Sequence, residues 1–183
     1  MLASELLRQD LLEGTSVLVA GATEPDAHFS SAVDEACTEL GARVHVCAPD
    51  VAEEAVAEIG SLDLLAVDGA GLFVHGGLRT CLDMAWSATH AVANLAFLPR
   101  AEGGRIVYIA PAPSAGEHAD AARAGLENLS RTLSIEWARH GITTVTIALG
   151  DDTSASEVGA IVAYLASPAG AYFSGCLLDL RGV

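Results

Sequence analysis

Five polar side chains stand close together late in the chain: Ser114, Glu117, His118, Asp120 and Arg123. A hydroxyl, an imidazole and a carboxylate within a few positions are the parts of a nucleophile, base and orienter, so hydrolytic or acid–base chemistry is first sought here. The same residue types also gather at loop ends and helix starts for ordinary reasons, and Asp120 in a first helical turn is a favourable dipole partner. A structural role therefore takes precedence over a new catalytic site. His28, His45, His75, His90 and His140 fall in different elements, and His45, inside a strand, is expected simply to be packed. Cys37, Cys47, Cys81 and Cys176 show neither CxxC nor Cys/His ligand spacing, so they read as buried reduced thiols, with no metal and no disulfide frame. Trp86 and Trp137 read as core or interface anchors.

These side chains must be positioned by a scaffold, and hydrophobic periodicity describes it. Ser16-Val-Leu-Val-Ala20 is a short apolar run ending at Gly21, and the segment from about Ala27 to Leu40 carries Phe29, Val33, Cys37 and Leu40 at helical spacing before Gly41. Arg43–Cys47 follows as a strand, Val51–Ile59 as a helix, and Leu62–Val67 as a strand that ends in a loop, Asp68-Gly-Ala-Gly71. The alternation continues with a helix over Leu78–Leu98, a strand over Arg105–Ala110, a helix over Ala119–His140 closed by Gly141, and a strand over Ile142–Leu149. A helix over Ser154–Ala166 and a strand over Cys176–Leu180 complete the pattern. Strict alternation requires parallel pairing through right-handed crossovers. The expected fold is therefore α/β: a three-layer, Rossmann-like, doubly wound parallel sheet of about six strands, forming one domain over 1–183. Residues 1–14 are expected to be an N-terminal helix (Leu2–Leu12) and lead-in packed on the outside.

Composition limits the partners. The chain of 183 residues has 9 basic against 24 acidic side chains and a net charge of −15, and it contains no lysine. Such a field repels nucleic acid and anionic membrane surfaces, and the scattered acids serve solubility. The uncharged stretch Met84–Pro99 is too short to span a bilayer and carries His90, and the N-terminal residues lack the pattern of a signal peptide. A cytoplasmic location is expected.

Several blocks in order resemble the short-chain dehydrogenase/reductase family: Asp68-Gly-Ala-Gly71, Gly103-Gly-Arg-Ile-Val-Tyr-Ile109, Leu126 to Ile142, and Leu165-Ala-Ser-Pro168 with Phe173 to Asp179. The resemblance covers nearly the whole chain and is strongest from Gly103 to Gly141. It implies a serine after the fourth strand and a tyrosine and lysine, four residues apart, at the start of the next helix. Those positions hold Pro111, Ala119 and Arg123, and an asparagine of the family's long helix, counted back without gaps, falls on Trp86. No tyrosine lies between Tyr108 and Tyr164. Losing a positioned acid/base costs on the order of 10²–10⁴ in rate, and arginine holds its proton at any useful pH.

The cofactor side departs from the family as well. Its glycine-rich phosphate turn lets helix amides approach a diphosphate; here the turn reads Ala20-Gly-Ala-Thr-Glu-Pro-Asp-Ala-His-Phe-Ser30, and only Gly21 remains. Glu24 and Asp26 would each repel a phosphate by roughly 3 kcal/mol at about 5 Å and an effective dielectric near 20. Asp50 stands near the place of a ribose-binding acid, but helix N-capping explains it more simply. Vestiges of a cofactor site are thus Gly21, Asp50, Asp68 and Gly71. No cofactor is expected, and NAD(P) is disfavoured. The chain is also short for the family: an edge strand and a helix are missing before Leu62, and the lid segment expected after Gly150 is deleted, leaving little to exclude water.

In the family the two long helices pair across a two-fold axis. Here they present small residues, Trp86, Thr89, Val92, Ala93 and Ala96 on one and Ala121, Ala124, Asn128 and Thr132 on the other, as the expected interface. The resemblance therefore implies a non-catalytic protein that assembles with itself or with a related active subunit. The alternatives are an NAD(P)-dependent oxidoreductase or small-ligand enzyme with non-standard residues, and a sensor that binds a nucleotide or metabolite without turnover.

Overall fold

The structure, a computed structural model, describes residues 3–22 and 28–182. Six strands, β1 (Ser16–Ala20), β2 (Arg43–Cys47), β3 (Leu64–Val67), β4 (Gly104–Ala110), β5 (Ile142–Ala148) and β6 (Cys176–Asp179), form one sheet in the order β2-β1-β3-β4-β5-β6. Every pairing is parallel. Side chains alternate between the two faces along each inner strand: Val17, Val19, Leu64, Ala66, Val107 and Ile109 enter one core, and Leu18, Ala20, Leu65, Val67, Ile106 and Tyr108 the other. Burial on both faces explains why these strands read as unbroken apolar runs.

The first core is covered by α1 (Ala3–Leu6), α2 (His28–Glu39) and α6 (Ala155–Ala166). The second is covered by α3 (Ala52–Ile59), α4 (Gly69–Val92) and α5 (Ala119–Glu136). Chain direction across the sheet reverses between β1 and β3, which places the topological switch point, where folds of this kind accept ligands, at their carboxyl ends. Among the described residues no helix is long and apolar enough to cross a membrane.

Three elements differ from the sequence reading. The N-terminal helix stops at Leu6, short of Leu12; Asp10 adopts a left-handed conformation (φ 56°), and the Leu12 amide turns to the carbonyl of Leu40. Asp68–Gly71 is not a loop. Asp68 N-caps α4 by accepting from the Gly71 amide (2.8 Å), so the glycines form the first helical turn. The long helix therefore begins at Gly69, kinks at Gly77 (φ 70°, ψ −167°), and widens into a π-helical turn over Ala93–Phe97. His45 is exposed on the edge strand β2 and is not packed.

Helices α2 and α6 pack closely, and Gly159 permits the approach: a Cβ there would collide with the Ala32 carbonyl and lie 3.0 Å from the Ala36 Cβ. Gly125 on α5 faces only the end of the Leu82 side chain (2.7 Å). In a free helix Gly→Ala stabilises by about 1 kcal/mol. Gly159→Ala is expected to reverse that sign, lowering stability by about 1–3 kcal/mol in urea denaturation because backbone must move, whereas Gly125→Ala stays within about 1 kcal/mol of the parent.

Candidate functional site

Two basins lie at the carboxyl ends of the strands. In the first, at the switch point, Gly21 ends β1 and Asp68 ends β3. Asp68 is fully buried, and its carboxylate accepts from the Gly71 amide and, at 2.9 Å, from the Ser30 hydroxyl on α2. The side chain thereby ties the start of α2 to the start of α4. Gly21 has no room for anything larger, since a Cβ would meet the Ser30 hydroxyl and stand 2.7 Å from the Asp68 Cβ. Burial pushes the Asp68 carboxyl above its ordinary value, while the bonds from Gly71 and Ser30 and the His75 charge oppose the rise. Glu24 and Asp26 lie outside the described residues.

Asp50 corrects an expectation. It sits exposed in a 3₁₀ turn (Pro49–Val51), and the N-caps there and at α3 are Ala48 and Val51, neither of which uses a side chain. Among the described residues its carboxylate caps nothing and makes no hydrogen bond at the tip of β2. Beside it, burial and the Asp50 charge push the Cys47 thiol up to about 11, and burial and nearby acids push Cys37 and Cys81 up to about 12. All four cysteines are unbridged thiols, with Cys47 and Cys176 only partly buried.

The second basin is formed by the tips of β4 and β5. Arg123, only 8% exposed, turns its guanidinium inward, where one nitrogen donates to the carbonyl of Pro111 and, at 2.8 Å, to that of Leu149. Burial weakens its hold on its proton, as does the Arg181 charge, but a guanidinium remains charged at any useful pH. Pro111 is buried beside it and Ala119 contributes a buried methyl.

The polar cluster of this stretch does not converge. Glu117 and His118 point into solvent, 3.6 Å apart, with His118 in a left-handed conformation (φ 71°) before α5. The Ser114 amide donates to Asp151 (3.0 Å) across the β5–α6 connection, and no hydrogen bond joins Ser114 to His118 among the described residues. Bonds from the Ser114 hydroxyl and amide hold the Asp151 carboxyl below its ordinary range. Only Leu149–Ser154 separates β5 from α6, which Ser154 and Glu157 open with a capping box.

Trp86 is not in either basin. It lies on the outer side of α4, 46% exposed, with its ring 5.5 Å from that of His90. Thr89, Val92, Ala93 and Ala96, expected on an interface, are buried inside the chain; Thr89 shares a 3.0 Å hydrogen bond with the Tyr108 hydroxyl. Burial raises the Tyr108 phenol far above its usual range, so it is a core tyrosine. Ala121, Ala124, Asn128 and Thr132 are exposed on α5. Sequence reasoning also missed Arg105, whose guanidinium reaches the carbonyls of Leu165, Ala166 and Ser167 and closes the C-terminus of α6. A basic residue in a strand carries no local signal for a partner about sixty positions away. The N-capping role of Asp68 was available from the spacing Asp-x-x-Gly before a helix.

No family model matches the chain. A probable 2,4-dienoyl-CoA reductase of Bacillus subtilis is 30% identical over 131 residues, which is 63% of this chain and 52% of the relative. The chain thus spans about half the length of that relative. Among solved structures it is similar to a short-chain dehydrogenase/reductase from Serratia marcescens (TM-score 0.73, 18% identity, 93% of this chain and 98% of that one). It is also similar to a short chain dehydrogenase from Mycobacterium smegmatis (TM-score 0.71, 22% identity, 95% and 94%). A third neighbour is a hydroxysteroid dehydrogenase from Escherichia coli (TM-score 0.69, 16% identity, 95% and 98%). The chain has the Rossmann-like fold of the short-chain dehydrogenases/reductases.

Asp68 makes stability depend on pH. Its folded-state pKa lies above the ordinary 3.8, so the folded state holds the proton more tightly; this contribution is fully present below about pH 4 and is lost as pH rises through the folded value. Asp68→Asn, which keeps an oxygen for Gly71, is expected to gain thermal stability relative to the parent as pH is raised from about 4 to 7. A melting-temperature difference that stays constant across that range would contradict the assignment.

Proposed function

We propose that this chain is a non-catalytic relative of the short-chain dehydrogenases/reductases whose role is assembly, pairing through the outer faces of α4 and α5 with a second copy or with a related, active subunit. One observation carries the reading: the guanidinium of Arg123 is turned onto the carbonyls of Pro111 and Leu149. The positions that the resemblance assigns to a serine, a tyrosine and a lysine hold Pro111, Ala119 and Arg123. Proline has no hydroxyl to donate to a substrate oxygen, a methyl cannot move a proton, and at Ala119 there is no phenol for the Arg123 charge to act on. The first basin does not suit a dinucleotide. Asp68 sets a carboxylate at the N-terminus of α4, and Glu24 and Asp26 add acid to the sequence of the turn where a diphosphate would need amides and positive potential.

The assembly surface follows from what remains exposed. Trp86 is exposed on α4, Ala121, Ala124, Asn128 and Thr132 are exposed on α5, which packs against α4, and Ile135 on α5 is 77% exposed. Small side chains flanked by a tryptophan and an isoleucine suit close helix-on-helix packing across a two-fold axis.

A second reading, an NAD(P)-dependent reductase with non-standard residues, draws on the name of the Bacillus subtilis relative and on the exposed carboxylate of Asp50 at the tip of β2. It predicts carbonyl or enoyl reduction by the purified chain.

Sedimentation velocity tests the assembly reading. The purified chain is expected to sediment at twice its 18.7 kDa, or at that of a mixed complex when a related subunit is co-expressed. Ala124→Arg, on an exposed position, is expected to give monomer with an unchanged melting temperature. A monomer that recruits no related subunit, or a dimer indifferent to this substitution, would contradict the proposed surface.

A further inference from the structure

A cavity of about 370 Å³ runs beside α6, within the size range of small-molecule sites. None of Gly21, Asp50, Asp68 or Gly71 lines it. Its apolar wall is made by Leu6 and Leu7 from the N-terminal segment, Ala160, Ile161 and Tyr164 from α6, and Leu180 just beyond β6. Its polar lining is concentrated where β5 passes into α6: Asp151 and Asp152 in the turn and Glu157 in the first turn of the helix. Along α6 the rise per residue puts Glu157 and Tyr164 about 10 Å apart, so the acidic end and the aromatic end are distinct.

Two of these carboxylates are held in place. Asp151 accepts from the Ser114 amide (3.0 Å), and Glu157 from the Ser154 amide and hydroxyl (both 2.8 Å). Those bonds favour the charged form and keep both groups below the ordinary carboxylate range. No lysine, arginine or histidine is among the described lining residues. Arg181, between the lining residues Leu180 and Gly182, is engaged by Asp179 at 2.6 Å, and Arg123 is turned onto backbone carbonyls. An apolar cavity with carboxylates at its open end, in a chain of net charge −15, selects against anions.

We propose that this cavity is a binding site for a small organic cation, an ammonium or amidinium group carried on an apolar body, with the cation between Asp151, Asp152 and Glu157 and the body along Ile161 and Tyr164. The site adjoins the second strand-tip basin at Asp151, which the Ser114 amide engages, and does not depend on the assembly reading.

Calorimetric titration of the full chain with three size-matched probes, phenethylammonium, phenethyl alcohol and hydrocinnamate, tests it. Phenethylammonium is expected to saturate one site about tenfold more tightly than the alcohol, and hydrocinnamate not at all. In the Asp151→Asn/Asp152→Asn double variant, which leaves Glu157, the ammonium should lose most of its tenfold advantage over the alcohol, with the alcohol unchanged. Should that variant fold poorly, raising the salt concentration on the parent chain must weaken the ammonium alone. Equal binding of the three probes, absence of saturable ammonium binding, or indifference to both the double substitution and salt would overturn the proposal.

Discussion

A buried guanidinium at the strand tips governs what this fold can do. A charge taken out of water must be compensated where it lies, and Arg123 meets that demand with the carbonyls of Pro111 and Leu149, which end two adjacent strands. The bond set fixes the start of α5 against β4 and β5, and with it the buried methyls of Ala119 and Ala122. Arg105 does corresponding work at the opposite end of the sheet, where it gathers the last carbonyls of α6. In a chain without lysine, the planar, multiply donating side chain serves as a structural tie at both ends of the same layer.

The other basin is organised by charge of the opposite sign. Asp68 bridges α2 and α4 through Ser30 and Gly71, so the switch point is closed by a carboxylate and its hydrogen bonds. The same side chain is an N-cap that steadies α4 and a desolvated acid whose ionisation costs stability. A scaffold whose tips are occupied by internal ties has its free surface elsewhere, on the outer sides of α4 and α5 and along α6.

The strand and helix alternation, the six strands and their parallel pairing were legible because both periodicities are strong: runs such as Ile106–Ile109 are buried on both faces, and the helices end at glycines such as Gly41 and Gly141. The positions of Pro111, Ala119 and Arg123 were legible as well, but the direction in which Arg123 points depends on two carbonyls brought together only by the sheet. Faces of α4 were the hardest to read. Small side chains signal close packing without saying against what, and Thr89, Val92, Ala93 and Ala96 close on the sheet while Trp86 faces out. The kink at Gly77 and the helical start at Gly69 hid in a glycine-rich stretch that reads locally as loop. Asp50 looked like a cap because acids often are; it lies inside the 3₁₀ turn, past the capping position that Ala48 holds and one residue before Val51, which caps α3.

The central claim is that the strand tips neither seat a dinucleotide nor move a proton. Isothermal titration calorimetry of the purified chain with NADH and with NADPH measures it most directly. No saturable heat for either nucleotide at up to millimolar concentration is the expected result. A single site with micromolar affinity for one of them would contradict it.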